Sequence, residues 1–450
     1  MRFATLCLSS VIAAAVSTST LAAIDDPVRV AGGLIAGVPG SGNNGPVFKG
    51  IPYAAPPIGD LRWRPPQPVA PWQGVRKTDA FSLNCTQMPH KPGSFYQVEY
   101  YREEGPSGED CLYLNIWTAA RSPDDRRPVM VWLHGGGFAQ GSGSTLAQNG
   151  EGLARKGVVA VTINYRLGVF GLLAHPELTR ESGHDASGNY TLMDQIAALR
   201  WVKDNIAAFG GDPARITVYG QSAGSISVAT LLTSQLAAGL LIRAIGESSF
   251  ALPTQTLHEA EQQGIKLGEK LGATTLAALR AKSAQELLQA TDRQFRPIVD
   301  GYVVPENPYA VYAAGRQIKV PVLVGSVANE RGNYPQPKSV KQYLEFTARQ
   351  YRDAAHDVVA AFPVANDEEA QRVFLLRERD YMAANMRRWA EAMSNSGTPA
   401  YWFYFDREPP SRAGEKPLGA VHMTEVAFAM NVLDTIERPW APVDRRLSPS

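Results

Sequence analysis

Ser222 is the residue in this sequence best placed to act as a nucleophile. It stands in the run Gly-Gln-Ser-Ala-Gly at positions 220–224, after the apolar, β-branched residues 216–219 and before the helix-compatible residues 225–232. A serine on such a strand-to-helix turn has a strained backbone and an outward-facing hydroxyl, and small neighbours avoid a backbone collision. This arrangement suits attack on a carbonyl carbon. The pentapeptide alone is also compatible with an ordinary strand–turn–helix connection.

A glycine run earlier in the chain favours the chemical interpretation. The apolar residues 129–133 are followed by His134, Gly135, Gly136, Gly137 and Phe138. Glycines after a strand allow backbone N–H groups to face a cavity and form an oxyanion hole. A flexible turn or a phosphate loop is the alternative, but neither a Gly-Lys-Ser/Thr ending nor a G-x-G-x-x-G pattern is present. The two signals together, in this order, predict acyl transfer.

Further motifs carry a family resemblance. They are Phe-Lys-Gly-Ile-Pro-Tyr-Ala-Ala-Pro-Pro at 48–57, Leu-Arg-Trp-Arg-Pro-Pro at 61–66, Glu-Asp-Cys-Leu-Tyr-Leu-Asn at 109–115, Asn-Tyr-Arg-Leu-Gly at 164–168 and Gly-Asn-Tyr at 188–190. With the two loops above, they make the chain resemble the type-B carboxylesterase/lipase family, the cholinesterase-like branch of the α/β-hydrolases. The resemblance covers about residues 28–439. It implies a serine hydrolase that cleaves carboxylic esters through an acyl-enzyme.

The resemblance also implies roles for the two loops. Gly136, Gly137 and Ala223 are expected to donate their backbone N–H groups to the oxyanion, and Phe138 is expected to line the substrate pocket. His134 is interpreted as structural.

The general base must be a histidine that follows the nucleophile in the chain, with the acid between them. His258, His356 and His422 follow Ser222. The first two lie in polar, helix-like runs, which are typical of a solvated helix face. His422 matches the family's Gly-x-x-His-x-x-Glu segment, at 419–425, and is assigned as the general base.

Two carboxylates compete for the role of the acid. Glu330 follows the strand-like residues 320–325 and aligns with the family's Asp-Glu-Gly site, which here reads Asn-Glu-Arg-Gly. The inserted Arg331 would keep this carboxylate ionised but could also compete for it. Asp300 is the alternative, in a family segment that is not catalytic. We therefore predict Glu330 as the acid and a structural role for Asp300.

The pattern of elements predicts an α/β fold. Strand-like runs at 129–133, 158–164, 216–219, 320–325 and 400–405 alternate with helical spacing at 191–207 and 370–391. Such alternation is typical of βαβ units. We expect an α/β-hydrolase fold over residues 24–450 as one domain, with a mostly parallel central sheet, helices on both faces, and helical lid insertions. The segment 253–293 is predicted to be helical, and insertions of this kind build the lid and acyl pocket in the family.

The first 23 residues have the pattern of a secretory signal peptide. Met1 and Arg2 precede the apolar residues 3–16, and small residues end the segment at Ala22 and Ala23. This predicts a secreted or periplasmic protein. After removal of the signal, Cys85 and Cys111 remain as an even pair. The family resemblance implies that these two form a disulfide.

Composition and charge narrow the partners. The chain has 450 residues and a formal net charge of +1, which gives no reason to expect nucleic acid or an anionic membrane as a partner. We predict a small-molecule ester substrate, no membrane span in the mature protein, and no metal or organic cofactor. The sequence does not fix the oligomeric state.

Several alternatives stay open. Lipase, feruloyl-type esterase, thioesterase and amidase activities would use the same triad, because the variable insertions form the pocket walls. A non-catalytic, cholinesterase-like binding or adhesion module is a further alternative. Family members usually continue well past residues 438–440, so the sequence also suggests a product truncated at its C-terminus, which could be an inactive esterase.

Overall fold

The structure is a computed structural model that describes residues 24, 26–41, 45–101, 105–250, 252–291 and 295–448. The predicted signal peptide at 1–23 lies outside the described residues. Within the described part, no helix has the length and apolar character needed to cross a membrane.

Fourteen β-strands are present in the described residues. They are β1 (Val28–Val30), β2 (Gly33–Ala36), β3 (Val38–Pro39), β4 (Pro46–Pro52), β5 (Val75–Lys77), β6 (Asn84–Cys85), β7 (Ser107–Gly108), β8 (Tyr113–Trp117), β9 (Arg127–Leu133), β10 (Val159–Ile163), β11 (Gly211–Gln221), β12 (Arg243–Glu247), β13 (Val322–Val327) and β14 (Ala400–Phe405).

Fifteen α-helices accompany these strands in the same part of the chain. They are α1 (Phe95–Glu99), α2 (Glu151–Arg155), α3 (Gly168–Leu172), α4 (Pro176–Glu181), α5 (Tyr190–Asn205), α6 (Ala223–Leu231), α7 (Leu257–Lys270), α8 (Leu276–Arg280), α9 (Ala284–Ala290), α10 (Pro308–Ala313), α11 (Val340–Tyr351), α12 (Ala355–Ala361), α13 (Asp367–Asn395), α14 (Thr424–Ala429) and α15 (Pro442–Leu447).

A nine-stranded sheet forms the centre of the fold. Its order is β14-β13-β12-β11-β9-β10-β8-β4-β3. The pairs from β14 to β10 are parallel, and those from β10 to β3 are antiparallel. Parallel strands need crossover connections, which the intervening helices provide. The predicted fold class, with a mostly parallel sheet and surrounding helices, is confirmed.

Alternating side chains of the central strands fill two separate cores. On β9, Val129 and Val131 pack into a cluster with Leu192 and Val202 of α5, whereas Trp132 packs into a second cluster. This second cluster includes Val426 and Phe428 of α14 and Ala154 of α2. Because successive side chains of a strand point to opposite faces, the two clusters place helices on both faces of the sheet.

The predicted strands agree with the structure more closely in position than in length. The run at 400–405 coincides with β14, whereas β11 extends from Gly211 to Gln221, well beyond the predicted 216–219. The sequence reasoning missed β12, because its five residues include Arg243, Gly246 and Glu247 and form no apolar run. This strand is nevertheless central, between β11 and β13.

The segment 253–293 folds as predicted into helices, α7 to α9, but these do not line the large cavity described below. Leu267, Leu279 and Leu287 from this segment pack instead against Phe170 and Tyr190. The cavity wall is formed by α11 and α13 in their place. The expectation that the insertion at 253–293 supplies the acyl pocket is therefore wrong for these three helices, since their apolar faces are used for packing.

Cys85 and Cys111 form a disulfide in the structure. The two cysteines are 26 residues apart and both are buried. A cross-link restricts the unfolded chain more strongly as the closed loop becomes longer.

We expect the double variant Cys85→Ser/Cys111→Ser to lower the free energy of unfolding by about 3 kcal/mol, because the open loop regains conformational entropy in the unfolded state. Urea unfolding of the parent and the variant, each with and without reductant, measures the difference. The reductant should destabilise only the parent. Equal unfolding midpoints for all four samples would contradict the prediction.

Candidate active site

Ser222 occupies the turn between β11 and α6. Its backbone has φ 56° and ψ −119°, a conformation that is strained for a residue with a side chain. Its N–H donates a hydrogen bond to the Glu247 carbonyl oxygen (2.8 Å), and its own carbonyl accepts one from the Ile226 N–H (3.0 Å). These bonds tie the turn to β12 and to the first turn of α6. The strain is therefore balanced by regular hydrogen bonding on both sides.

The glycines beside the serine are required by close backbone contacts. A Cβ on Gly220 would lie 2.6 Å from the Gly224 carbonyl carbon, and a Cβ on Gly224 would lie 1.9 Å from the Leu133 carbonyl oxygen. Both distances are far below a van der Waals contact. A side chain on Gly220 would push α6 away from β11, and one on Gly224 would push α6 away from β9. The turn therefore depends on glycine at positions 220 and 224.

The glycine loop after β9 lies directly beside this turn. A Cβ on Gly135 would be 3.2 Å from the Ser222 Cβ. Gly136, Gly137 and Phe138 all have positive φ, at 105°, 65° and 61°. Within the described residues, the backbone N–H groups of Gly136, Gly137 and Ala223 donate no hydrogen bond, and all three residues line the same cavity as Ser222. Such free donors are what an oxyanion requires.

His134, at the start of this loop, is held as a structural residue. Its ring stacks on Tyr165 with 4.1 Å between centroids, and its Nδ1 lies 2.8 Å from the Gly135 carbonyl oxygen. Burial lowers the pKa of His134 to about 4, so the ring is neutral at physiological pH. Phe138 is fully buried and packs against Leu172 and Ala223 while lining the cavity.

Glu330 and His422 are in direct contact. Glu330 Oε2 lies 2.6 Å from His422 Nδ1, and both side chains are buried. The other carboxylate oxygen, Oε1, accepts a hydrogen bond from the Val327 N–H (3.0 Å), which fixes the orientation of the carboxyl group. A bridge between Asn329 and Val421 joins the two loops. This bridge explains how residues 92 positions apart come together.

Asn329 stands where the family pattern has Asp, and its side chain stabilises the histidine loop. Its Nδ2 donates to the Leu418 carbonyl oxygen (2.7 Å), and its backbone N–H donates to the Ala420 carbonyl oxygen (2.9 Å). The departure from the family pattern is therefore compatible with the contact between Glu330 and His422.

The two partners of His422 are consistent with one tautomer of its ring. The Gln221 side-chain Nε2 lies 3.0 Å from His422 Nε2. A carboxylate only accepts, so Nδ1 carries the proton and donates it to Glu330. Nε2 then accepts from the Gln221 amide. This leaves on Nε2 the lone pair that a general base needs. Within the described residues, Ser222 makes no hydrogen bond to this ring, and Gln221 is the partner of Nε2.

The possible competition from Arg331 does not occur in the structure. The Arg331 Nε lies 3.0 Å from Glu378 Oε2, so its partner is Glu378 rather than Glu330.

Asp300 is buried in its own turn, where Oδ1 accepts from the backbone N–H groups of Val304 (2.8 Å) and Tyr302 (3.2 Å). His258 and His356 are exposed on α7 and α12. None of these three alternative residues lines the cavity.

Sequence reasoning missed a pair of buried carboxyl groups close to the turn that carries Ser222. Glu247 ends β12, and Glu425 lies in the first turn of α14. Burial raises the pKa of Glu247 to about 8. Burial, followed by the charge of Glu247, raises the pKa of Glu425 well above its usual range. Glu425 Oε1 accepts from the Ser248 hydroxyl (3.4 Å). The position of Glu425 in the family segment was the signal available, whereas Glu247 gave none.

We expect Glu247→Gln to change the pH dependence of stability. The folded protein holds the Glu247 proton to a higher pH than the unfolded chain does. The free energy of unfolding of the parent therefore falls as pH rises from the ordinary carboxyl pKa of about 4.3 towards about 8. Glutamine removes this contribution. The variant should gain on the parent by up to about 1.4 kcal/mol for each pH unit between these two pKa values, so the difference between the two proteins should widen from pH 5 to pH 8.

Urea unfolding of both proteins at pH 5, 6, 7 and 8 measures this effect. The exposed Glu269, replaced by glutamine in the same way, is the control, because a surface carboxylate carries no burial penalty. Parallel pH profiles for Glu247→Gln and the parent would contradict the prediction.

The site opens into a cavity of about 710 Å³. Its floor carries Ser222, His422 and Glu330, and its walls come from the glycine loop, α11 and α13. The lining mixes aromatic and aliphatic side chains with several charged ones, and the volume is typical of pockets for small organic molecules.

A mostly parallel sheet with a serine on the turn after a strand, a glycine loop after its neighbour, and a Glu–His pair at the same edge defines the α/β-hydrolase class. The sequence profile of the carboxylesterase family matches residues 25–448. The chain belongs to the carboxylesterase family and is a carboxylic ester hydrolase.

Curated relatives agree with this family. The chain is 38% identical to fumonisin B1 esterase of Sphingopyxis macrogoltabida over 432 residues, which cover 90% of this chain and 75% of the relative. It is 35% identical to para-nitrobenzyl esterase of Bacillus subtilis (strain 168) over 411 residues, covering 87% and 80%. It is also 35% identical to carboxylesterase 1E of Mus musculus over 432 residues, covering 82% and 73%.

Proposed function

We propose that this enzyme hydrolyses small-molecule carboxylic esters through an acyl-enzyme on Ser222, with His422 as general base and acid and Glu330 as the carboxylate that orients it. The proposal is supported chiefly by the contact of 2.6 Å between Glu330 Oε2 and His422 Nδ1, in a cavity that also contains Ser222. Gly136, Gly137 and Ala223 are the proposed oxyanion donors.

The proposed reaction has two halves. In the first, His422 Nε2 takes the Ser222 proton as Oγ attacks the ester carbonyl carbon. The tetrahedral oxyanion accepts hydrogen bonds from the three free N–H groups, and His422 then gives the proton to the departing alcohol. In the second half, water attacks the acyl-enzyme and loses its proton to His422. The proton returns to Ser222 Oγ as the carboxylic acid leaves. Glu330 remains ionised and stabilises the imidazolium in both halves.

The disulfide supports a further part of the proposal. Disulfides persist in oxidising compartments. The Cys85–Cys111 bond, together with the signal-like residues 1–23, favours a secreted or periplasmic enzyme whose mature chain, from about residue 24, forms one α/β-hydrolase domain.

Burst kinetics test the acyl-enzyme directly. Excess nitrophenyl ester of a slowly deacylating acid is mixed with the enzyme, and the rapid release of nitrophenolate is measured before the reaction is quenched. We expect one equivalent released per active site. After digestion, the acyl mass should be found on the peptide that carries Ser222 and specifically on that residue rather than on Ser225, three positions later. Acylation of Ser225, or turnover with no acylated peptide, would overturn the proposal.

A further inference from the structure

Three arginines line the cavity that contains Ser222. Arg331 follows Glu330 directly, Arg349 lies in the last turn of α11, and Arg296 comes from the segment before Pro297. Arg296 and Arg349 form no ion pair with any residue in the described part of the chain. The guanidinium of Arg349 lies 5.9 Å from the centroid of the Phe346 ring. Two guanidinium groups thus face the cavity without a carboxylate partner among the described residues.

The third arginine shares its partner. Arg331 and Arg377 both contact Glu378, each at 3.0 Å, so one buried carboxylate faces two guanidinium groups. The other acidic side chain described in the lining, Glu330, is engaged by His422. The charges of the described lining residues therefore leave an excess of positive charge around Arg296, Arg331 and Arg349.

Arg296 combines access with enclosure. Its side chain is exposed, because it opens into the cavity. The protein around the cavity still removes much of the water from its guanidinium. This desolvation, followed by the charge of Arg331, lowers the pKa of Arg296. Charges in such an enclosed space are screened less than on an open surface. An anion entering the cavity would relieve this repulsion and replace the missing partner.

Arg331 lies beside the proposed catalytic residues. The guanidinium of Arg331 is 5.1 Å from the centroid of the Tyr334 ring, and that ring is 6.0 Å from the ring of His422. Tyr334 therefore separates the positive charge from the proposed base by one aromatic ring. A ligand whose carbonyl carbon is at Ser222 could place a second group, a few bonds away, against the arginines.

We propose that Arg296, Arg331 and Arg349 form an anion-binding subsite that takes a free carboxylate carried by the ester substrate. Guanidinium groups bind carboxylates through paired, charge-assisted hydrogen bonds, which makes arginine suited to this role. This proposal rests on the proposed ester hydrolysis at Ser222 and gives it a substrate class: esters of small molecules that keep at least one ionised carboxyl group.

A series of isosteric ethyl esters tests the preference. Monoethyl adipate carries a carboxylate, its monoamide is neutral, and the ethyl ester of ε-aminocaproic acid carries an ammonium group. At low salt we expect kcat/KM for the carboxylate ester to exceed that for the amide by about tenfold, with the ammonium ester poorest. The advantage should shrink as salt is added. Equal values for all three esters would overturn the subsite.

Variants place the effect on particular residues. Arg296→Gln and Arg349→Gln should each lower kcat/KM for monoethyl adipate by about tenfold while changing that for the monoamide less than twofold. Arg215→Gln is the matched control, because Arg215 is exposed near the amino end of β11, away from the site. Equal losses on the charged and neutral esters would show a structural effect and contradict the proposal.

Inhibition gives a second measurement that does not depend on these ethyl esters being cleaved. Adipate should inhibit hydrolysis of a neutral nitrophenyl ester by the parent competitively, and about tenfold more weakly in Arg296→Gln. No inhibition of an active parent would reject the subsite alone. A folded parent that cleaves no ester would instead reject the proposed function, and the substrate class with it.

Discussion

Replacement of Ser222 by alanine is expected to lower kcat/KM for a short-chain nitrophenyl ester by about 10⁵-fold or more, because the acyl-enzyme cannot form without Oγ. The remaining rate would come from the oxyanion donors and from binding alone. The Cβ of alanine fits the strained turn as well as that of serine does, so the fold should be kept. Steady-state kinetics with purified parent and variant, both checked by circular dichroism, measure the ratio.

Ser225→Ala is the matched control for this experiment. Ser225 lies on α6, directly after the turn of Ser222, and is fully buried. Its hydroxyl donates a hydrogen bond to the Ser249 carbonyl oxygen (2.6 Å) and does not line the cavity. Its variant should be less stable but should keep the catalytic rate within a few-fold. If Ser222→Ala retained most of the activity while Ser225→Ala lost it, the assignment of the nucleophile would be wrong.

Glu330→Gln is expected to reduce kcat by about 10⁴-fold, through the tautomer of His422. The Val327 N–H needs an acceptor, so the glutamine carbonyl oxygen should occupy the position of Oε1. The amide NH₂ then faces His422 Nδ1, which must become an acceptor. The ring proton moves to Nε2, and this nitrogen can no longer take the proton of Ser222. The shape of the site is kept, so KM should change little.

Kinetics across pH and an unfolding curve measure this second effect. Asp300→Asn is the control, because Asp300 was the other candidate acid and accepts two backbone N–H groups away from the cavity. That variant should lose stability but keep its rate. A large loss of kcat in Asp300→Asn, together with a nearly normal Glu330→Gln, would reverse the assignment of the acid.

The parts of the site that sequence reasoning could reach are those formed by consecutive residues. The turn around Ser222 and the loop at Gly136 and Gly137 are encoded by runs of small residues after strands, and such local patterns are visible without a structure. The turn and the loop lie side by side because β9 and β11 are parallel neighbours, so the carboxyl ends of the two strands meet at one edge of the sheet.

Sequence reasoning predicted the contacts between distant segments only in part. The pairing of Glu330 with His422 was expected from the family resemblance, but the bridge between Asn329 and Val421 that brings the two loops together has no local signal. The buried carboxyl of Glu247 escaped notice because β12 is short and mixed in composition. The same limit applies to the arginines, since Arg296, Arg331 and Arg349 come from separate segments and line one cavity only in the folded protein.

The approach of α6 to β9 at Gly224 also affects how the enzyme can vary. The carbonyl oxygen of Leu133 occupies the space that a side chain on Gly224 would need. The glycine loop, which begins at His134, follows Leu133 directly. A substitution at Gly224 would therefore displace together Ser222, the proposed nucleophile, and the loop that carries the proposed oxyanion donors Gly136 and Gly137. Substitutions in α11 and α13 change only the cavity wall. A substitution at the contact of Gly224 with Leu133 changes the positions of both proposed catalytic elements at once.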